Sequence, residues 1–297
     1  MTINAKKVAL FIGLTYASTY LLAIGYFQAG GTAKGPGFLI VAVLYMFMPA
    51  LSAVVVQKLI YRAPLKQPLR INWRPNRWFL VAWLFSLVIA VATFGVALLF
   101  PGVTFSPDKQ DNFRHLLLLK PAHLGIEIGT NRFASAVFLT LLEGLIIGIT
   151  IGALAGFGEE LGWRGLLQRE LGALGFWKAS GIIGLVWGFW HAPLIVRGFN
   201  YPEHPWTGVF LMTVLAVLLA PLFGYICLKA DSVVAAAIFH GTSNGLSVLA
   251  TMGLEGGNDL LVGGTGLAGF LVLLVANIGL VLFDRWFGGN AIASSES

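Results

Sequence analysis

The chain has 297 residues, 57% of them hydrophobic and only 11% charged, well under the roughly 25% charged share of a soluble domain. Its apolar residues fall in blocks of roughly 20, the length of helix that crosses about 30 Å of hydrocarbon. A formal net charge of +6 would suggest nucleic acid in a soluble protein; here the basic residues gather between apolar blocks as topology signals, so no nucleic-acid partner is expected.

Lipid accepts only helices or closed barrels, because it offers no partner to a free backbone group. The blocks lack barrel-like alternation, so the fold class is all-α: a polytopic membrane protein built as a bundle of about eight transmembrane helices. Spans are expected near 8–27, 37–58, 78–100, 134–157, 180–198, 207–228, 232–251 and 262–283. The first follows Lys6 and Lys7 as a signal peptide would, but it is too long and lacks a small-residue cleavage site, so it counts as a span. The next loop carries Lys58, Arg62, Lys66, Arg70, Arg74 and Arg77 with no acid, which predicts a cytoplasmic loop and both termini inside; the plasma (cytoplasmic) membrane is the expected location. The 101–133 loop then falls outside with mixed charge, Lys109, Arg114, Lys120 and Arg132 against Asp108, Asp111 and Glu127. Segment 158–179 returns to the cytoplasmic side, and the Ser-rich tail after Ala291 is expected to be disordered. Cys227 stands alone inside an apolar block, which excludes an internal disulfide and most cysteine metal sites.

In the fourth span Gly144, Gly148, Gly152 and Gly156 recur every four residues. Small residues at that spacing let helices approach closely in lipid, and the stripe winds toward Glu159 and Glu160. An ionisable group at membrane depth is costly and therefore a functional candidate; those here are Glu143, Glu159, Glu160, Arg164, His191 and His240. Three helices each offer a pair one turn apart. Glu160 and Arg164 have the favourable order for an i,i+4 salt bridge, which leaves Glu159, rotated by about 100°, free for chemistry. Trp187 and His191 share a face in "GLVWGFWHAPL", and Pro193 kinks or ends that helix just beyond the histidine. His240 and Asn244 share a face in "AAIFHGTSNGL". Taken singly, each pair is compatible with ordinary packing. Together they are the parts of a hydrolase whose nucleophile is water: a carboxylate and imidazoles to activate it or to hold zinc, and an amide with a histidine N–H to stabilise an oxyanion. Glu143 lies 16 residues before Glu159, roughly 24 Å along a straight helix, and belongs outside that site, protonated or hydrogen-bonded to a neighbouring helix.

The motifs in order resemble those of the CAAX protease and bacteriocin-processing enzyme (CPBP) family, the type II CAAX prenyl endopeptidases. "EELGWR" resembles EExxxR. "WGFWH" resembles the second motif, an aromatic four residues before a histidine, with Trp187 where the prenyl proteases carry phenylalanine. "HGTSN" resembles the third. The resemblance covers residues 134 to 250, which would be the catalytic helical core, flanked by N-terminal helices and loops over 1–133 and by a last helix and tail over 251–297. It implies an eight-helix bundle with a cytosol-facing catalytic cavity. It implies Glu159 as the general base helped by His191, Glu160 and Arg164 as the groups that order the site, and His240 and Asn244 as the groups facing the oxyanion. Members resemble intramembrane glutamic proteases, although the family is widely labelled metalloprotease. A zinc ion on Glu159, His191 and His240 is the alternative to a metal-free water mechanism. The expected partners are membrane lipid and a membrane-tethered peptide or protein, CAAX prenylated proteins being the family's best-known targets. Two other classes compete with a working peptidase: a non-proteolytic immunity or scaffold protein of the same family, and a transporter with Glu143 and the histidines as a proton relay.

Overall fold

A computed structural model describes residues 3–107, 132–289 and 292 of the chain. The architecture is helical, and among the described residues seven helices are long and apolar enough to span a bilayer. They are α1 (Ala5–Gln28), α2 (Phe38–Ile60), α3 (Arg77–Ala97), α4 (Phe133–Leu174), α6 (Pro205–Ala230), α7 (Val233–Ala250) and α8 (Leu267–Trp286). Between α4 and α6 runs a shorter helix, α5 (Phe176–Trp190). Two short strands, β1 (Thr104–Phe105) and β2 (Leu254–Glu255), pair antiparallel and join two loops at one end of the bundle. The chain is an integral, multi-pass membrane protein. The bulk of the mixed-charge 101–133 loop and the Ser-rich tail lie outside the described residues.

Two elements depart from the spans read in the sequence. The fourth, expected over 134–157 with segment 158–179 beyond it, is one helical run of 42 residues, about 60 Å at 1.5 Å per residue. Its turns widen to π-type geometry over Glu143–Gly152 and Leu161–Leu167. The helix does not end at the charged residues because those charges find partners within the protein. The fifth, expected over 180–198, is only 15 residues long, about 22 Å, and stops short of a full hydrocarbon thickness.

The reason it stops lies in Pro193. Proline brings no N–H to the carbonyl of Phe189, and it disfavours helical backbone at the residue before it. The chain tightens instead: His191 N bonds Gly188 O at 3.2 Å and Leu194 N bonds His191 O at 3.0 Å. The last carbonyls of α5 are thereby orphaned, as at any helix C-terminus. Tyrosines from other helices answer two of them, Phe189 O and Trp190 O, and a third tyrosine adds a bond to Val186 O one turn back. Tyr16 of α1 donates to Val186 O at 2.6 Å, Tyr20 to Phe189 O at 3.0 Å, and Tyr45 of α2 to Trp190 O at 2.5 Å.

The glycine stripe of α4 packs against α7. A Cβ at Gly148 would lie 2.8 Å from Thr242 Cα, and one at Gly156 would lie 2.9 Å from His240 Cβ. Such a contact forces backbone apart, so only glycine lets the two helices come this close. On the far side α7 meets α3 through Ser86, whose hydroxyl reaches Ser243 Oγ at 2.9 Å and Phe239 O at 3.2 Å. Asn277 of α8 donates to Leu218 O of α6 at 2.8 Å, so this amide serves helix packing. The basic loop before α3 is pinned across the α6–α7 turn: Val233 N donates to Arg70 O at 2.9 Å, Asn76 Nδ2 to Ala230 O at 3.0 Å, and Ser232 Oγ to Asn72 O.

Replacing Gly148 with alanine therefore puts a side chain into the backbone of α7, at a cost of about 1–3 kcal/mol for overpacking. Gly13 of α1 has open space around it, so Gly13→Ala is expected to leave stability unchanged or slightly higher. Thermal denaturation in detergent of the two variants beside the wild type checks this contrast.

Candidate active site

The candidate residues of the second motif pair sit on the end of α5, and those of the first and third on α4 and α7. The side chains of Glu159, Glu160, Arg164 and His240 are all buried. The salt bridge expected one turn apart on α4 is present, with Arg164 Nη1 3.2 Å from Glu160 Oε1. The same Oε1 is 2.8 Å from His240 Nδ1, a contact across helices that depends on the glycine approach described above. A carboxylate oxygen accepts, so Nδ1 carries a proton when this bond forms. The other ring nitrogen of His240, Nε2, faces Glu159 Oε1 at 3.8 Å. His240 thus stands between the two glutamates. Two carboxylates against one guanidinium leave a formal charge of −1, which a proton on a glutamate or a second proton on His240 would neutralise.

Trp187 neighbours four of these residues, Glu159, Arg164, His191 and His240. Its indole N–H donates to Glu159 Oε2 at 2.7 Å. The guanidinium of Arg164 lies 4.5 Å over its ring and 4.5 Å over that of Phe223, an arrangement that offsets burial of a cation. The rings of His191 and His240 lie 6.1 Å and 5.8 Å from it, centre to centre. A second indole, Trp163, also donates to Glu159 Oε2 at 3.4 Å. His191 is half-buried, and its Nδ1 lies 2.9 Å from Trp187 O, the carbonyl left free by the tightened turn. A carbonyl only accepts, so Nδ1 is the donor and Nε2 of the neutral ring keeps a free lone pair.

The structure therefore brings Glu159, Arg164, His191 and His240 around one indole, with Glu160 joined to them through Arg164 and His240. Asn244 differs from them: it lies one turn beyond His240 on α7 and is exposed. Glu143 is buried in the first widened stretch of α4, separated from Glu159 by the length of the glycine stripe. The sequence reading missed Trp163 and Trp187 as donors to a carboxylate. Trp163 follows Glu159 at i+4, so helical spacing could have shown that pair, whereas the bond from Trp187 crosses helices.

Zinc on Glu159, His191 and His240 is the alternative that the resemblance implies. Among the described residues the one set of three donors whose ligand atoms all lie within 4.8 Å of one another is Glu203, His204 and Asp259, on loops before α6 and α8. The donors of Glu159, His191 and His240 are not gathered that closely, and Glu159 Oε2 is already engaged by indole N–H groups, so the three residues do not fit a shared ion as they stand. At the other cluster Asp259 acts as a clasp. Its Oδ2 accepts from Glu203 N at 2.8 Å and its Oδ1 is 2.6 Å from His204 Nδ1. Beside it burial holds the Tyr201 hydroxyl protonated well above its usual range, as a donor to Thr265 O at 2.6 Å.

Fold and site together define a helical membrane protein with a buried Glu–Arg–His cluster. Comparison with known proteins finds a likeness over part of the chain. Residues 140–246 match the family model described as type II CAAX prenyl endopeptidase Rce1-like. A stretch of 90 residues is 35% identical to CAAX prenyl protease 2 of Methanococcus maripaludis, covering 28% of this chain and 32% of that protein. The chain thus matches about a third of the length of this curated relative.

Arg164 and Glu160 are both at 2% exposure or less, and removing one partner of such a pair costs about 3–5 kcal/mol by stranding the other charge. Arg164→Met is expected to lose that much stability, and Glu160→Gln with Arg164→Met to recover part of it. Melting curves of the single and double variants measure the difference.

Proposed function

We propose that this protein is an intramembrane peptidase of the CAAX prenyl protease type, which cleaves a membrane-tethered peptide or protein with an activated water. The observation that carries this reading is the state of Glu159. Its carboxylate is buried, one oxygen is held by indole donors and the other faces His240, with His191 on the same indole. A buried carboxylate arranged in this way is a candidate base rather than a packing residue.

In this mechanism the water lies between Glu159 and the substrate. Glu159 takes one of its protons while the oxygen attacks the scissile carbonyl carbon, and the free Nε2 of His191 accepts a hydrogen bond from the same water. The carbonyl oxygen becomes an oxyanion, which the Nε2–H of a doubly protonated His240 and the amide of Asn244 would stabilise; Asn244 would turn inward to do so. The proton held by Glu159 then passes to the departing amine as the C–N bond breaks, leaving a new carboxyl and a new amine. Glu160 and Arg164 do no bond-making: they hold His240 from the side opposite Glu159. No step of this mechanism uses a metal, in keeping with the spacing of the donors. Both termini lie on the cytosolic side in this reading, as the exposed Arg62, Lys66, Arg74 and Arg77 of one loop favour.

A panel of membrane-tethered fluorogenic peptides in detergent tests the proposal. Glu159→Gln and His191→Ala are expected to lower the cleavage rate by about 10²–10⁴-fold, the range for losing a general base, and chelator to leave the wild-type rate unchanged. Wild-type cleavage by Glu159→Gln would refute the mechanism, and an absence of cleavage on every peptide would favour the non-proteolytic scaffold.

A further inference from the structure

Trp187 holds both halves of the proposed base, by different parts of the same residue. Its side chain, on α5, donates to Glu159 Oε2 of α4 at 2.7 Å. Its backbone carbonyl accepts from His191 Nδ1 at 2.9 Å. The first bond joins two helices; the second fixes the tautomer and ring direction of a histidine at the point where α5 breaks. Trp187 itself has little freedom. It is buried, packed on Phe223 at 5.4 Å between ring centres, and covered by the Arg164 guanidinium at 4.5 Å.

The consequence concerns which carboxylate oxygen acts. Glu159 Oε2 accepts from Trp187 and, at 3.4 Å, from Trp163. Donors to a carboxylate stabilise its charged form on the atom they touch. The remaining oxygen, Oε1, faces Nε2 of His240 at 3.8 Å, and is the one left to take a proton. We propose that Trp187 is a positioning residue: its indole N–H locks Glu159 so that Oε1 alone is presented to the reacting water, while Trp163 supplies a weaker second donor. The proposal rests on the peptidase reading for its effect on rate, but the hydrogen bond itself does not. A phenylalanine at this position would keep the ring faces for Arg164 and His240 and lose only the donor.

Two measurements test it. In detergent, the infrared carboxyl band assigned to Glu159 is the one that Glu159→Gln removes. Trp187→Phe is expected to shift that band, and an unmoved band would overturn the proposal whether or not any peptide is cleaved. In the cleavage assay Trp187→Phe is expected to lower kcat by about 10–100-fold, the range for losing a group that orients a reacting one, with KM within about twofold. Trp163→Phe should cost less. Trp206→Phe, at an exposed ring, should leave kcat unchanged. If Trp187→Phe melts early, 3-benzothienylalanine at 187 replaces it, since that side chain keeps the indole shape without the N–H. Wild-type kcat in either variant, where Glu159→Gln is inactive, would refute the positioning role. Wild-type kcat in Glu159→Gln would instead refute the peptidase reading, and the infrared band would still decide the bond.

Discussion

Charge taken out of water is the constraint around which this protein is arranged. Two carboxylates, a guanidinium and two imidazoles sit among helices in a chain with few charges to spare, and each must find its partner inside the protein. Glu160 is shared between Arg164 of its own helix and His240 of another. Glu159 is held by indole N–H groups, and Arg164 lies between two aromatic faces. The 2.8 Å contact from His240 to Glu160 requires α7 to lie almost against α4, and this is what the glycines of α4 permit. The packing of the two helices and the placement of the polar groups are one arrangement. A side chain on the stripe would lift His240 away from the carboxylate it serves.

The helices before the matched stretch also take part. Pro193 breaks α5 and frees carbonyls that lipid would leave unpaired. Tyr20 of α1 and Tyr45 of α2 supply donors to Phe189 O and Trp190 O, and Tyr16 of α1 adds one to Val186 O. At the other end Lys7 of α1 reaches Glu170 near the end of α4 at 2.6 Å. The matched residues 140–246 are therefore set by contacts from outside the match. His191 takes its orientation from a turn whose neighbouring carbonyls are capped by α1 and α2.

Several features were legible in the residues because they follow helical periodicity. The Glu160–Arg164 bridge, the glycine stripe leading to the glutamates and the break at Pro193 each depend on neighbours within about one turn. The lengths of two helices were not legible in the same way. Charges at 159, 160 and 164 read as the end of a span, since their partners on α7 are invisible to local pattern, and the helix runs on through them. The run from 180 to 198 has the hydropathy of a span, but its backbone turns at His191. Asn244 shares a face with His240 in projection yet is exposed. A shared face fixes direction from the axis and says nothing of what stands opposite.

By itself the sequence determined the all-helical membrane class, the three pairs of side chains one turn apart and the family they resemble, because hydropathy, backbone satisfaction in lipid and i,i+4 spacing act over short stretches of chain. Only the tertiary structure decided which oxygen of Glu159 is held, which glutamate His240 touches, and that Trp187 stands at the centre of the group. Those are contacts between residues tens of positions apart, set by how closely the helices pack, and no local pattern records that distance.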